Sequence, residues 1–368
     1  MKFQCKKNDI KNKITLIERI TGKNQSLLVL SAILFEAKEN TLTLKATNLE
    51  VGVEVVVRAK IIKTGSMALL GRVINTYLNS INGEDDTITF EVVENNISIS
   101  TKKNSTLIKT IQTNDFPNIP HIEDKNNTHT INAKVFTEGL RAVLFAVSTS
   151  DIKPEISSVY VYSEDTTLVF VATDSFRLAE KKITTKNKLS ISPLLIPFRN
   201  TYEFIRFFDG IHGDLAVFFD KNQLAVFGDG MYVTTRLTDG VYPPYKQIIP
   251  AKFKTNITVQ KKDLIDALKT ANIFLDEFNR IIVKAHTNDG IVEIESKNND
   301  LGENVSRVEA HVDGDDVEMK FNHKYFSEAL PGILGDSVSL RFNEQHKPMV
   351  ISGVGDPSFI YLVMPVTR

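Results

Sequence analysis

Long apolar runs are missing from this 368-residue chain, and so is cysteine beyond the single Cys5. No stretch approaches the ~20 apolar residues that a bilayer span needs. The segment from Met1 to Lys13 is polar and lysine-rich, unlike a secretory signal. One cysteine excludes an intrachain disulfide and fits a reducing compartment, so a soluble, cytoplasmic protein with no membrane partner is expected. An excess of either charge is missing as well. With a net charge of −1, a nucleic-acid partner is compatible only if positive charge gathers on one surface.

The signatures of catalysis are also absent. There is no G-x-x-x-x-G-K phosphate loop, no dinucleotide fingerprint and no nucleophile elbow. The seven histidines lack metal-ligand spacing, and Asp313-Gly314-Asp315-Asp316 lacks the rest of a calcium loop. Asp174 and Arg177 have no accompanying base, nucleophile or cofactor site. These gaps predict a protein that is not an enzyme and holds no cofactor or metal.

What the chain does have is repetition. Three stretches place apolar residues three to four apart, as a helix with one buried face does: Ile10, Ile14 and Ile17; Phe136, Leu140, Val143 and Leu144; Leu264, Leu268 and Ala271. Their starts lie 126 and 128 residues apart. Ala46-Thr47-Asn48 returns 126 residues later as Ala172-Thr173-Asp174, and more weakly as Ser296-Lys297-Asn298. A second helical stretch, Leu70 to Ile81, returns as Phe198 to Phe208 and as His323 to Leu334. An alternating strand around Ile97 returns at Leu224 and Met349, and Pro117 and Pro243, again 126 apart, each close a unit.

A period of about 126 is far too long for a solenoid, whose repeats run roughly 20–50 residues, so each unit is a domain. Each reads strand, helix, strands, helix, strands, and the strands alternate apolar and polar residues. The expectation is an α+β protein of three similar domains, 1–123, 124–250 and 251–368, each with two helices packed on antiparallel sheets.

The three domains carry net charges of +3, 0 and −4. A positive head and a negative tail favour head-to-tail self-association, which closes into a ring if the rotation permits. The expected contacts are Lys102, Lys103, Thr106 and Ile108, with Lys109 beside them, against Ile273, Phe274, Asp300 and Glu303, near Asp276 and Glu277.

The segment Val171-Ala172-Thr173-Asp174-Ser175-Phe176-Arg177-Leu178-Ala179 resembles the signature of the bacterial DNA polymerase III beta subunit family, the sliding clamps. Tyr242-Pro243-Pro244-Tyr245 resembles that family's second linker, and Phe321-Asn322 followed by Tyr325 its third-domain helix entry. The ending, Tyr361 to Arg368, resembles its C-terminus, so the likeness runs the length of the chain.

The resemblance implies the DNA-clamp fold and a homodimer ring around double-stranded DNA, without sequence preference. It also implies a peptide pocket between the second and third domains. That pocket would serve the polymerase III catalytic subunit, the clamp loader and other proteins carrying a clamp-binding motif. Carried over by position, its wall includes Ile156, Thr173, Ser175, Phe176, Arg177 and Leu178, then Pro243, Gln247 and Ile248. The third domain adds Phe278, Asn322, Tyr325 and His346, with the tail Leu362, Val363, Met364, Pro365, Val366, Thr367 and Arg368.

The sequence departs from the commoner family pattern at Ser175-Phe176 (often Gly-His), at Gln247 (often Arg) and at the final Thr367-Arg368 (often Arg-Leu). Apolar lining suits the anchors of an extended peptide, and Arg177 is expected at the rim facing an acidic or carbonyl group. For DNA the candidates are Lys23, Arg72, Arg199 and Arg206, with Lys11, Lys134, Arg141 and Lys262 as weaker ones, all on or beside the repeated helices. A second reading, a monomeric β-rich peptide-binding scaffold with no DNA role, stays open on residues alone.

Overall fold

The computed structural model describes residues 1–22, 27–81, 87–122 and 128–366. The expected boundary between residues 123 and 124 falls outside them. The first repeat opens with β1 (Lys2–Lys6), α1 (Lys7–Glu18), β2 (Ala32–Lys38), β3 (Thr41–Thr47), β4 (Val51–Val57), β5 (Ala59–Lys63) and β6 (Gly65–Leu70). It closes with α2 (Gly71–Ser80), β7 (Thr87–Val93), β8 (Asn96–Ser100) and β9 (Ser105–Lys109). The second comprises β10 (Thr128–Asn132), α3 (Ala133–Leu144), β11 (Ser158–Glu164), β12 (Thr167–Thr173) and β13 (Arg177–Thr184). After these come β14 (Leu194–Pro197), α4 (Phe198–Phe208), β15 (Asp214–Phe219), β16 (Gln223–Gly228) and β17 (Met231–Arg236). The third comprises β18 (Thr255–Gln260), α5 (Lys261–Ala271), β19 (Arg280–His286), β20 (Ile291–Asn298) and β21 (Gly302–Gly314). It ends with β22 (Val317–Asn322), α6 (His323–Ser327), β23 (Ser337–Phe342), β24 (Met349–Gly353) and β25 (Phe359–Val363).

The helices begin where the apolar period placed them: α1, α3 and α5 start 126 and 128 residues apart. One expectation needs correction. The third copy of the second helix does not run from His323 to Leu334; α6 stops at Ser327 and a 3-10 turn, Leu330–Gly332, follows. Pro331 supplies no amide hydrogen and disfavours helical backbone at the residue before it, so the helix cannot continue. Asn322 still caps the start, its side chain accepting from the Tyr325 amide.

Contacts gather the chain into two compact units, Met1–Lys134 with Tyr202–Leu237, and Val135–Thr201 with Thr238–Arg368. In the first, the α1 stripe Ile10, Ile14 and Ile17 is buried, as are Ile74 and Leu78 of α2. Phe3 and Phe90 stack at 4.7 Å in the same core. In the second, Leu264, Leu268 and Ala271 of α5 are buried, and Phe321 packs between Phe326 and Phe342. Each of these Ile, Leu and Phe side chains contributes about 1.5–3 kcal/mol by leaving water.

All strand pairing is antiparallel, and the sheets run across the sequence repeats. The first unit holds a sheet ordered β10-β15-β16-β17-β4-β3-β2-β6, joining second-repeat to first-repeat strands at β17–β4. It also holds a sheet ordered β5-β1-β7-β8-β9, which ends on β9. The second unit holds one sheet ordered β14-β11-β12-β13-β25-β24-β23-β18-β21-β20-β19-β22, joined at β13–β25.

The repeat persists at atomic scale. Asn48 Oδ1 accepts from the amides of Glu50 and Val51, Asp174 Oδ1 from those of Phe176 and Arg177, and Asn298 Oδ1 from those of Asp300 and Leu301. One short polar side chain therefore turns the chain at the same place in all three copies.

Candidate functional site

The second unit carries a groove of about 760 Å³ at the end of the β13–β25 junction. Leu178 and Leu362 sit directly opposite each other there and form its floor. The end of β12, the turn after it and the start of β13 supply Thr173, Ser175, Phe176 and Arg177. The linker between the second and third repeats supplies Gln247 and Ile248 from its 3-10 turn Tyr245–Ile248, then Pro250, Ala251 and Lys252. Asn343, His346, Lys347 and Pro348 close one side, and Met364 the other. Ser175 adopts φ +78°, a conformation that favours glycine. The Asp174 turn holds it there and projects Phe176 outward. The Met364 amide donates to the Phe176 carbonyl at 2.8 Å, tying the C-terminal segment to that turn.

Exposed apolar surface at the groove comes from Phe176, Ile248 and Met364, and its lining includes Lys252, His346 and Lys347 but, among the described residues, no carboxylate. Such a surface can seat apolar anchors of an extended segment with acidic neighbours.

Arg177 does not stand free at the rim as expected. It is only 8% exposed, donates from Nε to Asp174 Oδ2 at 2.9 Å and from Nη1 to Glu328, and lies 4.4 Å over the Tyr325 ring. Burial opposes its charge, yet the Glu328 hydrogen bond and the nearby acids hold its pKa above the ordinary value. The role of Arg177 is to brace the groove wall, because both of its acidic partners are internal.

Thr173, Ser175, Phe176, Arg177, Leu178, Gln247, Ile248, His346, Leu362 and Met364 come together as expected. Others do not line the groove. Ile156, in the turn before β11, and Val363, in β25, are both buried in the core. Phe278, Asn322 and Tyr325 gather instead at the β22–α6 corner, where the Asn322 side chain reaches the Phe278 carbonyl and Val366 donates to Lys320 of β22. Pro243 and Pro365 are also outside the lining, while Thr367 and Arg368 lie beyond the described residues. Sequence reasoning missed Pro250, Ala251, Lys252, Asn343, Lys347 and Pro348. The linker residues follow directly on Ile248, and extending the stretch by four positions would have captured three of them.

Two sheet edges carry the residues expected at a self-association surface. Strand β9, an edge, contains Thr106 and Ile108 and exposes Leu107 (61%), with Lys102 and Lys103 in the turn before it. Strand β21 pairs with β18 only over residues 310–314, and over residues 302–309 it pairs with β20 alone. Its open half carries Glu303 and Val305, beside Asp300, Leu301, Ile273 and Phe274. Leu107, Leu301 and Val305 were missed; their exposure, not their type, marks them.

Among the basic candidates, Arg72 and Arg199 are exposed on α2 and α4, Arg199 lying 3.9 Å from Asp151. Lys11 is half-buried, and Lys134, Arg141 and Lys262 are exposed, with Lys262 paired to Asp266 at 3.3 Å. Arg206 needs correction. It turns inward, pairs with Glu203 at 2.6 Å and donates to the Leu16 carbonyl at 3.1 Å, so its donors serve the fold. Lys23 lies outside the described residues. No helix among the described residues is long and apolar enough to cross a membrane.

The chain is 27% identical over its full length to the beta sliding clamp of Synechococcus elongatus, covering 99% of that protein. It is 24% identical, with the same coverage, to the beta sliding clamp of Staphylococcus epidermidis. Its fold superposes on the DNA polymerase sliding clamp of Bacillus subtilis with a TM-score of 0.95 at 22% identity, covering 100% of this chain and 99% of that one. On the DNA polymerase III beta subunit of Thermotoga maritima the TM-score is 0.92 at 24% identity, with the same coverage. Family models for the N-terminal, central and C-terminal domains of the DNA polymerase III beta subunit match residues 1–120, 130–244 and 246–367 in order. With all three domains present in sequence, the chain belongs to the DNA polymerase III beta subunit family.

Proposed function

We propose that this protein is a DNA sliding clamp: two copies join head to tail, enclose duplex DNA and tether the polymerase and other clients through the groove at Leu178 and Leu362. No catalytic residue or cofactor enters this reading. The three modules are 1–123, 124–250 and 251–368.

One observation carries it. The sheet junction between successive repeats is made twice within the chain, β4 with β17 and β13 with β25, and the third pair of matching edges, β21 and β9, is left open. Ile108 pairs with Ile97 as Thr235 pairs with Leu224 and Val363 with Met349. Gly302 follows its Asn298 turn as Val51 follows Asn48 and Arg177 follows Asp174. Val51 faces Thr235, and Arg177 faces Val363. The same register sets Ile108 of one copy opposite Gly302 of the next, and Thr106 opposite Asn304. Open edges invite such pairing, and Lys102 and Lys103 against Glu303 would guide it. Exposed Arg72 and Arg199 suit loose phosphate contacts that weaken with salt and allow sliding.

The test is a full-length Thr106→Cys/Asn304→Cys variant. Oxidation is expected to give a covalent dimer that, once loaded by a clamp loader, stays on nicked circular plasmid at high salt and slips off when the circle is cut. A monomer in sedimentation at micromolar concentration, with no cross-linked dimer, would favour the peptide-binding scaffold without a DNA role.

A further inference from the structure

Two groove residues, Gln247 and Ile248, belong to the linker rather than to the sheet, and Ile248 is 54% exposed. Something must hold that linker in place. Immediately before them Tyr245 is buried against the sheet, and its hydroxyl donates to Glu180 Oε2 at 2.5 Å. Glu180 is only 2% exposed on β13, and its other oxygen meets Lys182 at 3.0 Å. The Tyr162 hydroxyl lies 2.8 Å from that of Tyr245. A carboxylate this deeply covered is costly unless its oxygens are satisfied, and undocking the linker would remove one of its partners.

The chain contains its own comparison. Glu54 occupies in β4 the place of Glu180 in β13, two residues on from Gly52 and Leu178 respectively. A linker crosses there too, and His121 of that linker reaches Glu54 Oε1 at 3.1 Å, beside Lys45 at 3.1 Å. The third copy of the position, in β21, is Val305, 52% exposed. At both places where a linker crosses, a carboxylate of the strand meets a linker side chain.

We propose that Glu180 and Tyr245 are positioning residues that latch the linker onto β13, presenting Gln247 and Ile248 ready-made to an incoming peptide. This rests on reading the groove as a peptide site. A latch that touches no peptide acts on the fraction of molecules ready to bind: apparent affinity falls with that fraction, through the association rate.

The experiment uses the full-length protein and a fluorescein-labelled peptide carrying the clamp-binding segment of a polymerase III catalytic subunit, followed by stopped-flow anisotropy. Tyr245→Phe and Glu180→Leu are expected to slow association about tenfold while leaving dissociation and dimerisation unchanged. Glu180→Gln, which keeps an oxygen for the Tyr245 hydroxyl, is expected to stay within about twofold of the parent. Met364→Glu serves as the control on the groove. If it abolishes binding while Tyr245→Phe and Glu180→Leu associate at the parent rate, the latch is wrong and the groove reading stands. If Met364→Glu binds normally, both fall. Faster dissociation, or loss of the dimer in the latch variants, also overturns the proposal, since it would assign these residues to contact or to bulk stability.

Discussion

At the junction in the first unit, Gly52 faces Thr234, and Ile119 of the following linker is buried above them. At the junction in the second, Leu178 faces Leu362; both are buried in a cluster with Tyr242 and Tyr245 of the linker, and they border the groove. A Cβ built on Gly52 would come within 2.8 Å of Ile119 Cγ2, so any side chain there evicts the linker residue. The strand pairing is the same at both junctions, and each has a carboxylate two positions along. Gly52 leaves room for a linker side chain, Ile119, against the strand, whereas the second junction has Leu178 at that position, packed with Tyr242 and Tyr245 of its linker. A second difference lies at the preceding position, Val51 in one junction and the braced Arg177 in the other.

The sharpest way to break this comparison is at Arg177. Arg177→Ala leaves Asp174 and Glu328 half-buried without their cation, which is expected to cost about 3 kcal/mol in urea unfolding and to loosen the groove. An unchanged midpoint would show that the brace is ornamental. Next in size is Gly52→Leu, which gives the first junction the residue of the second. Overpacking against Ile119 is expected to cost about 1–3 kcal/mol, and adding Ile119→Ala should return part of it. Equal stabilities for the single and double variants would disprove the steric account.

The smallest effect sharpens the comparison by locating it. Cys5 is the chain's one cysteine and lies in the first unit, where burial, with Asp9 adding to it, pushes the thiol up to about 12. At pH 8 the thiolate is therefore scarce in the folded protein, and alkylation is expected to wait on local opening. Gly52→Leu should speed it several-fold and Arg177→Ala should leave it unchanged, as followed by mass spectrometry. Equal acceleration by both would mean the two junctions open as one.

Much of this was legible from residue order because it is local. The α1, α3 and α5 stripes need only a period of 3.6, and the turn after Asn48, Asp174 and Asn298 needs only a short polar side chain and its own next amides. The early end of α6 is legible too, in Pro331, against the full helix that the repeat alone implies. What stayed hidden depends on groups far apart in sequence. Arg206 reads as a helix-surface cation until its side chain is found on the Leu16 carbonyl, and Arg177 as a free cation until Glu328 arrives from 151 residues away.

By itself the sequence determined that there are three modules of one kind, where their helices start, and that one cysteine leaves no intrachain disulfide, because composition and short-range periodicity carry that information. Only the tertiary structure decided that the modules join strand to strand with one pair of edges left over, that a groove borders the second junction, and which cations are already engaged. Those outcomes turn on side chains that the fold brings together, and a linear pattern does not encode whether the space between them is occupied.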